Sequence, residues 1–207
     1  YDSPLFDGPR TLSIHIWYPT ADEDGLQALY RGAFLREAVF EDASVAIVQP
    51  VPMLIFSHGR RAYGQASWFI NEYFASQGWI TVSLNHPGDG PLDGNELPEI
   101  YAARPMDISA VIDFMQTLPE AHPLRGLVND DIVLTGHSFG GYTTFAAVGA
   151  RYAMERWRSQ CAEGTGDGFC AKFVEEEMLF EAGFADPRID VAIPMAPGNY
   201  RQFEMGL

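Results

Sequence analysis

The chain has 207 residues, of which 47% are hydrophobic, so it is long enough to form one domain with a sizeable buried core. Its 28 acidic and 13 basic residues give a formal net charge of −15. This charge argues against a nucleic-acid partner, because a phosphate backbone requires a basic surface. No apolar run approaches the roughly 20 residues that cross a bilayer, so no membrane span is predicted. The sequence begins at Tyr1 rather than Met, and we expect that a leader was removed or the sequence trimmed.

Hydrophobic patterning predicts strands that alternate with helices. Strands are predicted over residues 11–18, 51–57, 79–84, 132–135 and 189–195, and helices over 65–76, 104–118, 139–150 and 172–182. The first helix is expected to bury Trp68, Phe69, Tyr73 and Phe74. Residues 26–40 are expected to hold a short helix or part of a hairpin. Alternating strands and helices favour an α/β fold with a mainly parallel, doubly wound sheet.

The most informative motif is Gly136-His137-Ser138-Phe139-Gly140, which lies between a predicted strand and a predicted helix. In this setting G-x-S-x-G is typical of a nucleophile elbow, a sharp turn that exposes the serine hydroxyl. Ser138 is therefore the predicted nucleophile. The amide of Phe139, at the start of the helix, is predicted to stabilise an oxyanion. The alternative is a glycine-rich turn with an ordinary serine.

Two loops are expected to meet this elbow, because ligands bind beyond the carboxyl ends of parallel strands. They cover residues 58–64, which include His58 and Gly59, and residues 85–91, which include His86. Gly59 permits an unusual backbone turn, and the amide of Arg60 is the candidate for a second oxyanion donor. Arg60 and Arg61 could instead be solvated charges, or bind an anionic substrate group.

Two cysteines, Cys161 and Cys170, flank a polar, glycine-rich loop. A disulfide between them is predicted, which indicates a secreted or periplasmic protein. If both thiols are free, the protein is expected in the cytoplasm. No metal site is predicted, because no third or fourth Cys or His lies nearby.

Five segments carry a family resemblance: IWYP at 16–19, IFSHG at 55–59, NHPG at 85–88, RPMD at 104–107 and GHSFGG at 136–141. In this order they resemble the α/β-hydrolase superfamily, and within it the platelet-activating-factor acetylhydrolase and dienelactone-hydrolase-like group. The resemblance implies a single α/β-hydrolase domain over residues 1–207, with an excursion at about 151–186. It also implies a serine esterase for small or short-acyl esters that needs no cofactor, with Ser138 as nucleophile and Phe139 and Arg60 as oxyanion donors.

The chain departs from this family in its catalytic base. A triad follows the chain order serine, acid, histidine. All five histidines precede Ser138: His15, His58, His86, His122 and His137. His58 and His86 are weighed as bases, and His137 is expected to point into the protein's packing. The acids weighed are Asp186, Asp190 and Glu204. We therefore expect that the fold is truncated before its last strands, and that a C-terminal segment or companion chain completes the sheet and the triad.

Three further readings stay open. The same elbow serves lactonases and acyltransferases, and a hydrolase-fold protein without a base could act only by binding.

Within the excursion, Trp157, Phe169 and Phe173 are expected either to line an acyl pocket or to pack in the core.

Overall fold

The computed structural model describes residues 1–93, 98–164 and 169–204, except for the side chains of Phe169 and Ala171. The strands are β1 (Ser13–Trp17), β2 (Gln27–Tyr30), β3 (Phe34–Phe40), β4 (Val51–Ser57), β5 (Ile80–Asn85), β6 (Val128–His137) and β7 (Val191–Met195). The helices are α1 (Trp68–Ser76), α2 (Ile100–Gln116), α3 (Phe139–Ala147), α4 (Met154–Ala162), α5 (Phe169–Glu175) and α6 (Glu177–Ala182).

The central sheet has the strand order β1-β5-β4-β6-β7, and only β1 runs antiparallel to its neighbour. This confirms the predicted mainly parallel α/β fold. The central strand β4 is buried on both faces, as its continuous apolar sequence predicts. Alternate residues face opposite layers: Ile55 packs with α2, and Phe56 packs with α1.

The outer strand β7 pairs with β6 and with no other described strand. Val191 and Ile193 on this strand are 47% and 46% exposed, so the sheet presents an apolar edge among the described residues. That a further segment or a companion chain covers this edge stays a prediction.

Residues 26–40 form the two-stranded hairpin β2–β3, which confirms the hairpin alternative rather than the short helix. The predicted apolar side of α1 is partly wrong. Phe69 and Tyr73 are 56% and 61% exposed, whereas Asn71 and Ala75 are buried. The helix is covered along a single stripe, and aromatic residues outside that stripe remain in solvent.

Helix α2 begins at Ile100, four residues before the predicted start, and contains Pro105 in its interior. Proline has no N–H to donate to the carbonyl four residues earlier, which here belongs to Tyr101. The hydroxyl of Tyr142 donates to that carbonyl instead, at 2.9 Å. This bond from α3 therefore satisfies the acceptor that Pro105 leaves open.

The excursion after α3 forms three short helices rather than the single helix predicted over residues 172–182. Trp157 and Phe173 are buried in an aromatic cluster with Tyr152 and Phe180, so both are core residues. The side chain of Phe169 lies outside the described residues.

The predicted disulfide is confirmed. Cys161 in α4 is bonded to Cys170 in α5, and their Cα atoms are 5.3 Å apart. Such a bond stabilises chiefly by restricting the unfolded chain, so its contribution depends on the loop that it closes.

Replacing both Cys161 and Cys170 by serine is expected to lower the free energy of unfolding by about 2–4 kcal/mol, the usual range for one disulfide. Urea denaturation of the parent protein and the double variant measures this difference. A reductant should reduce the stability of the parent and leave the double variant unchanged. Equal stability of the two proteins would contradict the prediction.

Candidate active site

Ser138 sits between β6 and α3 in a backbone conformation that non-glycine residues rarely adopt, with φ 56° and ψ −115°. Such a conformation costs about 1–3 kcal/mol and persists only where the surrounding structure holds it. Here the amide of Ser138 donates to the carbonyl of Met195 at 3.0 Å, and the amide of Gly198 donates to the carbonyl of Ser138 at 2.7 Å. The last residue of β7 and the loop after it therefore hold the elbow from one side.

Two glycines allow the strand and the helix to approach this closely. A Cβ atom on Gly140 would lie 1.9 Å from the carbonyl oxygen of Ser57, and one on Gly136 would lie 2.5 Å from the carbonyl oxygen of Gly140. Neither distance is compatible with a side chain, so the spacing of the motif follows from backbone contact between β4, β6 and α3.

The amide of Phe139 opens α3, where the first N–H groups of a helix have no partner within the helix. This N–H finds no acceptor in the described part of the chain. The loop after β4 reaches the same place: a Cβ atom on Gly59 would lie 3.5 Å from the Cβ atom of Ser138. Arg60 follows directly, and the oxyanion roles of both amides stay predictions.

The side chain of Arg60 is engaged rather than simply solvated. Its guanidinium lies 4.6 Å from the centre of the Phe139 ring and donates to the hydroxyl of Tyr101 at 3.0 Å. Asn199 donates to the same hydroxyl at 3.1 Å. These contacts join the loops after β4 and β7 above the start of α3.

Neither of the two histidines weighed as a base bonds to Ser138. The Nδ1–H of His58 donates to the carbonyl of Gly59 at 2.7 Å, and its Nε2 accepts the amide of His86 at 3.2 Å. Both ring nitrogens of His58 are thus used in shaping the loop.

His86 instead belongs to a buried chain of serine, histidine and aspartate. Its Nδ1–H donates to Asp107 at 2.8 Å, and its Nε2 accepts the hydroxyl of Ser57 at 3.0 Å. These connections match a catalytic triad, but Ser57 has no exposed surface and cannot meet a substrate. Asp107 also receives two hydrogen bonds from Arg10 and one from the hydroxyl of Tyr1.

The other weighed groups are occupied or misplaced. His137 is exposed, so the expectation that it points into the packing is wrong. The side chain of Asp186 accepts bonds from Arg188, which lower the pKa of Asp186 to about 2. Asp190 accepts the amide of Ile132. Glu204 pairs with Arg151 at 3.5 Å.

Ser138 Oγ has no hydrogen-bond partner among the residues that the structure describes. The elbow and the loop containing Gly59 come together as predicted from the sequence, but the described residues bring no base to Ser138. A cavity of about 550 Å³ lies away from Ser138 and is lined by residues of β1, the hairpin and α1. Within the described ranges no cluster of His, Cys, Asp and Glu could hold a metal ion, and no helix could cross a membrane.

Arg104 is completely buried beside this site, and no pattern in the sequence predicts a role for it. It donates to Asp89, to the hydroxyl of Ser57 at 2.9 Å, to the carbonyl of His58, and to the hydroxyl of Thr143 at 2.9 Å. The RPMD segment at residues 104–107, which carries part of the family resemblance, was the one sequence feature that pointed to Arg104. The residue types in that segment do not reveal the partners of Arg104.

Burial lowers the pKa values of His58 and His86 well below the usual histidine value, and the nearby charge of Arg104 lowers both further. Both rings are therefore neutral in the folded protein but take up protons in the unfolded chain below about pH 6.5. Their contribution to stability is present above that pH and is lost as the pH falls.

We expect the free energy of unfolding to fall between pH 7.5 and pH 5.5, by up to about 1.4 kcal/mol per pH unit for each histidine. Urea denaturation at several pH values measures this slope. His58→Gln should reduce the slope. A substitution that removes no histidine, such as Ser159→Ala in α4, should leave it unaltered. A stability that is constant over this range would contradict the prediction.

No protein-family model matches the chain, and no curated protein does either. A ferulic acid esterase from Streptomyces cinnamoneus is similar over 93% of this chain and 53% of its own, with 20% identity and a TM-score of 0.61. Est1E from Butyrivibrio proteoclasticus, solved with ferulic acid bound, is similar over 70% of this chain and 44% of its own (21% identity, TM-score 0.45). The chain thus spans about half the length of these two structures. Together with the strand order, the first similarity shows that the chain has the α/β-hydrolase fold.

Proposed function

We propose that this protein is a serine carboxylic-ester hydrolase that forms an acyl-enzyme on small or short-acyl esters. The observation that carries the proposal is the strained, half-buried Ser138 beside the amide of Phe139, which has no acceptor among the described residues. Residues held in a rare backbone conformation cluster at functional sites. The Streptomyces cinnamoneus protein of the same fold is named as an esterase, which agrees with this reaction class.

In the proposed reaction, Ser138 Oγ attacks the ester carbonyl carbon and gives its proton to a base. The carbonyl oxygen becomes negative and accepts hydrogen bonds from the amides of Phe139 and Arg60. The bond to the alcohol oxygen then breaks, and the alcohol leaves with the proton. Water adds to the acyl-enzyme by the same route and releases the acid, which restores the Ser138 hydroxyl.

The proposal requires a base and an acid that the described residues do not bring to Ser138. We propose that these groups come from a further segment or a companion chain, which would also pair with β7. The exposed apolar edge at Val191 and Ile193 supports such a neighbour. No cofactor takes part in the proposed reaction.

The disulfide between Cys161 and Cys170 supports a secreted or periplasmic location, because such bonds persist in oxidising compartments. We further propose that residues 1–207 belong to one domain, with the helices α4 to α6 as its excursion.

A non-catalytic binding protein is the second candidate, favoured by the absence of a hydrogen bond to Ser138 Oγ in the described part of the chain. The two candidates differ in covalent chemistry. An activated serine reacts with a fluorophosphonate probe, whereas an ordinary serine hydroxyl does not.

Ser138→Ala in the protein as its gene encodes it is expected to abolish both fluorophosphonate labelling and hydrolysis of p-nitrophenyl acetate, a loss of at least about 10³-fold in kcat. Peptide mapping by mass spectrometry should find the probe on Ser138 and not on the buried Ser57. The exposed helix residue Ser159 provides a matched control, since Ser159→Ala should be labelled and active. Absence of labelling in the parent protein would favour the binding protein.

Comparing p-nitrophenyl esters of increasing chain length with lactones, and with a second alcohol as acyl acceptor, separates the esterase from a lactonase or an acyltransferase. The proposal predicts the highest kcat/KM for the shortest acyl chains. Preference for a lactone, or transfer to the added alcohol over water, would replace it with the corresponding alternative.

A further inference from the structure

Arg104 is a cation with no exposed surface, and its burial lowers its pKa to about 10, which leaves it charged at neutral pH. A charge in such a place requires a partner of opposite charge and a complete set of hydrogen bonds. Asp89, which is itself buried, is that partner. The remaining N–H groups of Arg104 bond to uncharged oxygens around the elbow, so the pair is built into the site rather than lying on the surface.

These uncharged oxygens belong to the elements that meet at Ser138. Ser57 is the last residue of β4, and His58 begins the loop that contains Gly59 and Arg60. Thr143 lies in α3, one turn after the elbow. A single guanidinium therefore connects the end of β4, the loop after β5 and the helix that begins with Phe139.

The other carboxylate oxygen of Asp89 accepts a hydrogen bond from the loop after β4, at the end of that loop opposite to His58. Asp89 Oδ1 accepts the amide of Arg61 at 3.0 Å, and Arg61 has a positive φ of 53°. Arg104 meanwhile holds the carbonyl of His58. The loop is thus held by hydrogen bonds at residues 58 and 61, and the peptide groups of Gly59 and Arg60 lie between these two fixed points.

We propose that the buried Arg104–Asp89 ion pair is a positioning pair, which fixes the backbone of residues 58–61 so that the Arg60 amide points at the oxyanion formed on Ser138. This inference rests on the proposed function for its catalytic consequence. Its structural part, the immobilisation of residues 58–61, depends on the contacts alone.

The pair has a definite expected effect on kinetics. Donors of an oxyanion hole act on charge that develops in the transition state, so a donor that is misaligned lowers kcat more than it changes KM. Complete removal of one donor costs about 10²–10³ in kcat. Loss of the grip on residues 58–61 should therefore lower kcat by about ten- to a hundredfold.

The test compares two variants of Asp89. Asp89→Ala removes the bonds to Arg104 and to the Arg61 amide. Asp89→Asn keeps the side-chain shape and an acceptor for the Arg61 amide. Asp186→Asn is the matched control, because it breaks another ion pair of Asp with Arg, at Arg188, away from the elbow. Activity on p-nitrophenyl acetate, inhibition by phenylboronic acid and amide hydrogen exchange of the peptide covering residues 57–64 are measured for each protein.

We expect Asp89→Ala to lower kcat ten- to a hundredfold with KM within about twofold, to weaken phenylboronic acid binding in parallel, and to accelerate exchange at residues 58–61. Asp89→Asn should lie between this variant and the parent. Asp186→Asn should reduce stability without changing kcat or that exchange. If Asp89→Ala does not fold, Asp89→Asn and its exchange rate carry the test.

A folded Asp89 variant with parental kcat and parental exchange at residues 58–61 would overturn the inference. Failure of the proposed function has a different signature, since activity would then be absent from the parent or retained by Ser138→Ala. In that case the exchange measurement still decides whether the ion pair immobilises the loop: acceleration supports it, and parental protection refutes it.

Discussion

The site depends on one steric constraint, the contact of Gly140 with the carbonyl oxygen of Ser57, where a Cβ atom would approach to 1.9 Å. This contact sets α3 directly against the end of β4, next to the turn between β6 and α3 in which Ser138 has its rare conformation. Because protein interiors are close-packed, such a contact cannot relax without moving both elements. The position of Ser138 relative to the loop of Gly59 is therefore a property of the backbone.

The buried charges of Arg104 and Asp89 extend this constraint from the backbone to the loops. Packing alone would place the ends of β4 and β6 side by side but would leave the following residues free to adopt several conformations. Directional bonds from one guanidinium to Ser57, His58 and Thr143 select one of them. The cost of burying the Arg104 charge is thus offset by bonds to Asp89 and to the loop beside Ser138.

The sequence was sufficient to predict the parts of the fold that depend on local patterns. The apolar run of β4, the elbow around Ser138 and the spacing of Cys161 and Cys170 all carry their structural meaning within about ten residues. The partners of Arg104 lie 15 to 47 positions away, so no local pattern reveals them. The same holds for Tyr142, whose hydroxyl satisfies the carbonyl left open by Pro105 and thereby allows α2 to begin earlier than predicted.

Two serines in this chain illustrate why a nucleophile cannot be identified from a hydrogen-bond chain alone. Ser57 has the histidine and the carboxylate of a triad, in His86 and Asp107, but its Oγ also accepts a bond from Arg104 and has no exposed surface. That bond from a cation opposes the build-up of nucleophilic electron density on Ser57 Oγ, and burial excludes an acyl group. Ser138 lacks the triad partners among the described residues yet has exposure, backbone strain and a neighbouring unpaired amide. The fold around a serine must supply substrate access and the oxyanion donors, whereas any segment that reaches the serine can contribute a base. Ser138 is therefore the better candidate nucleophile.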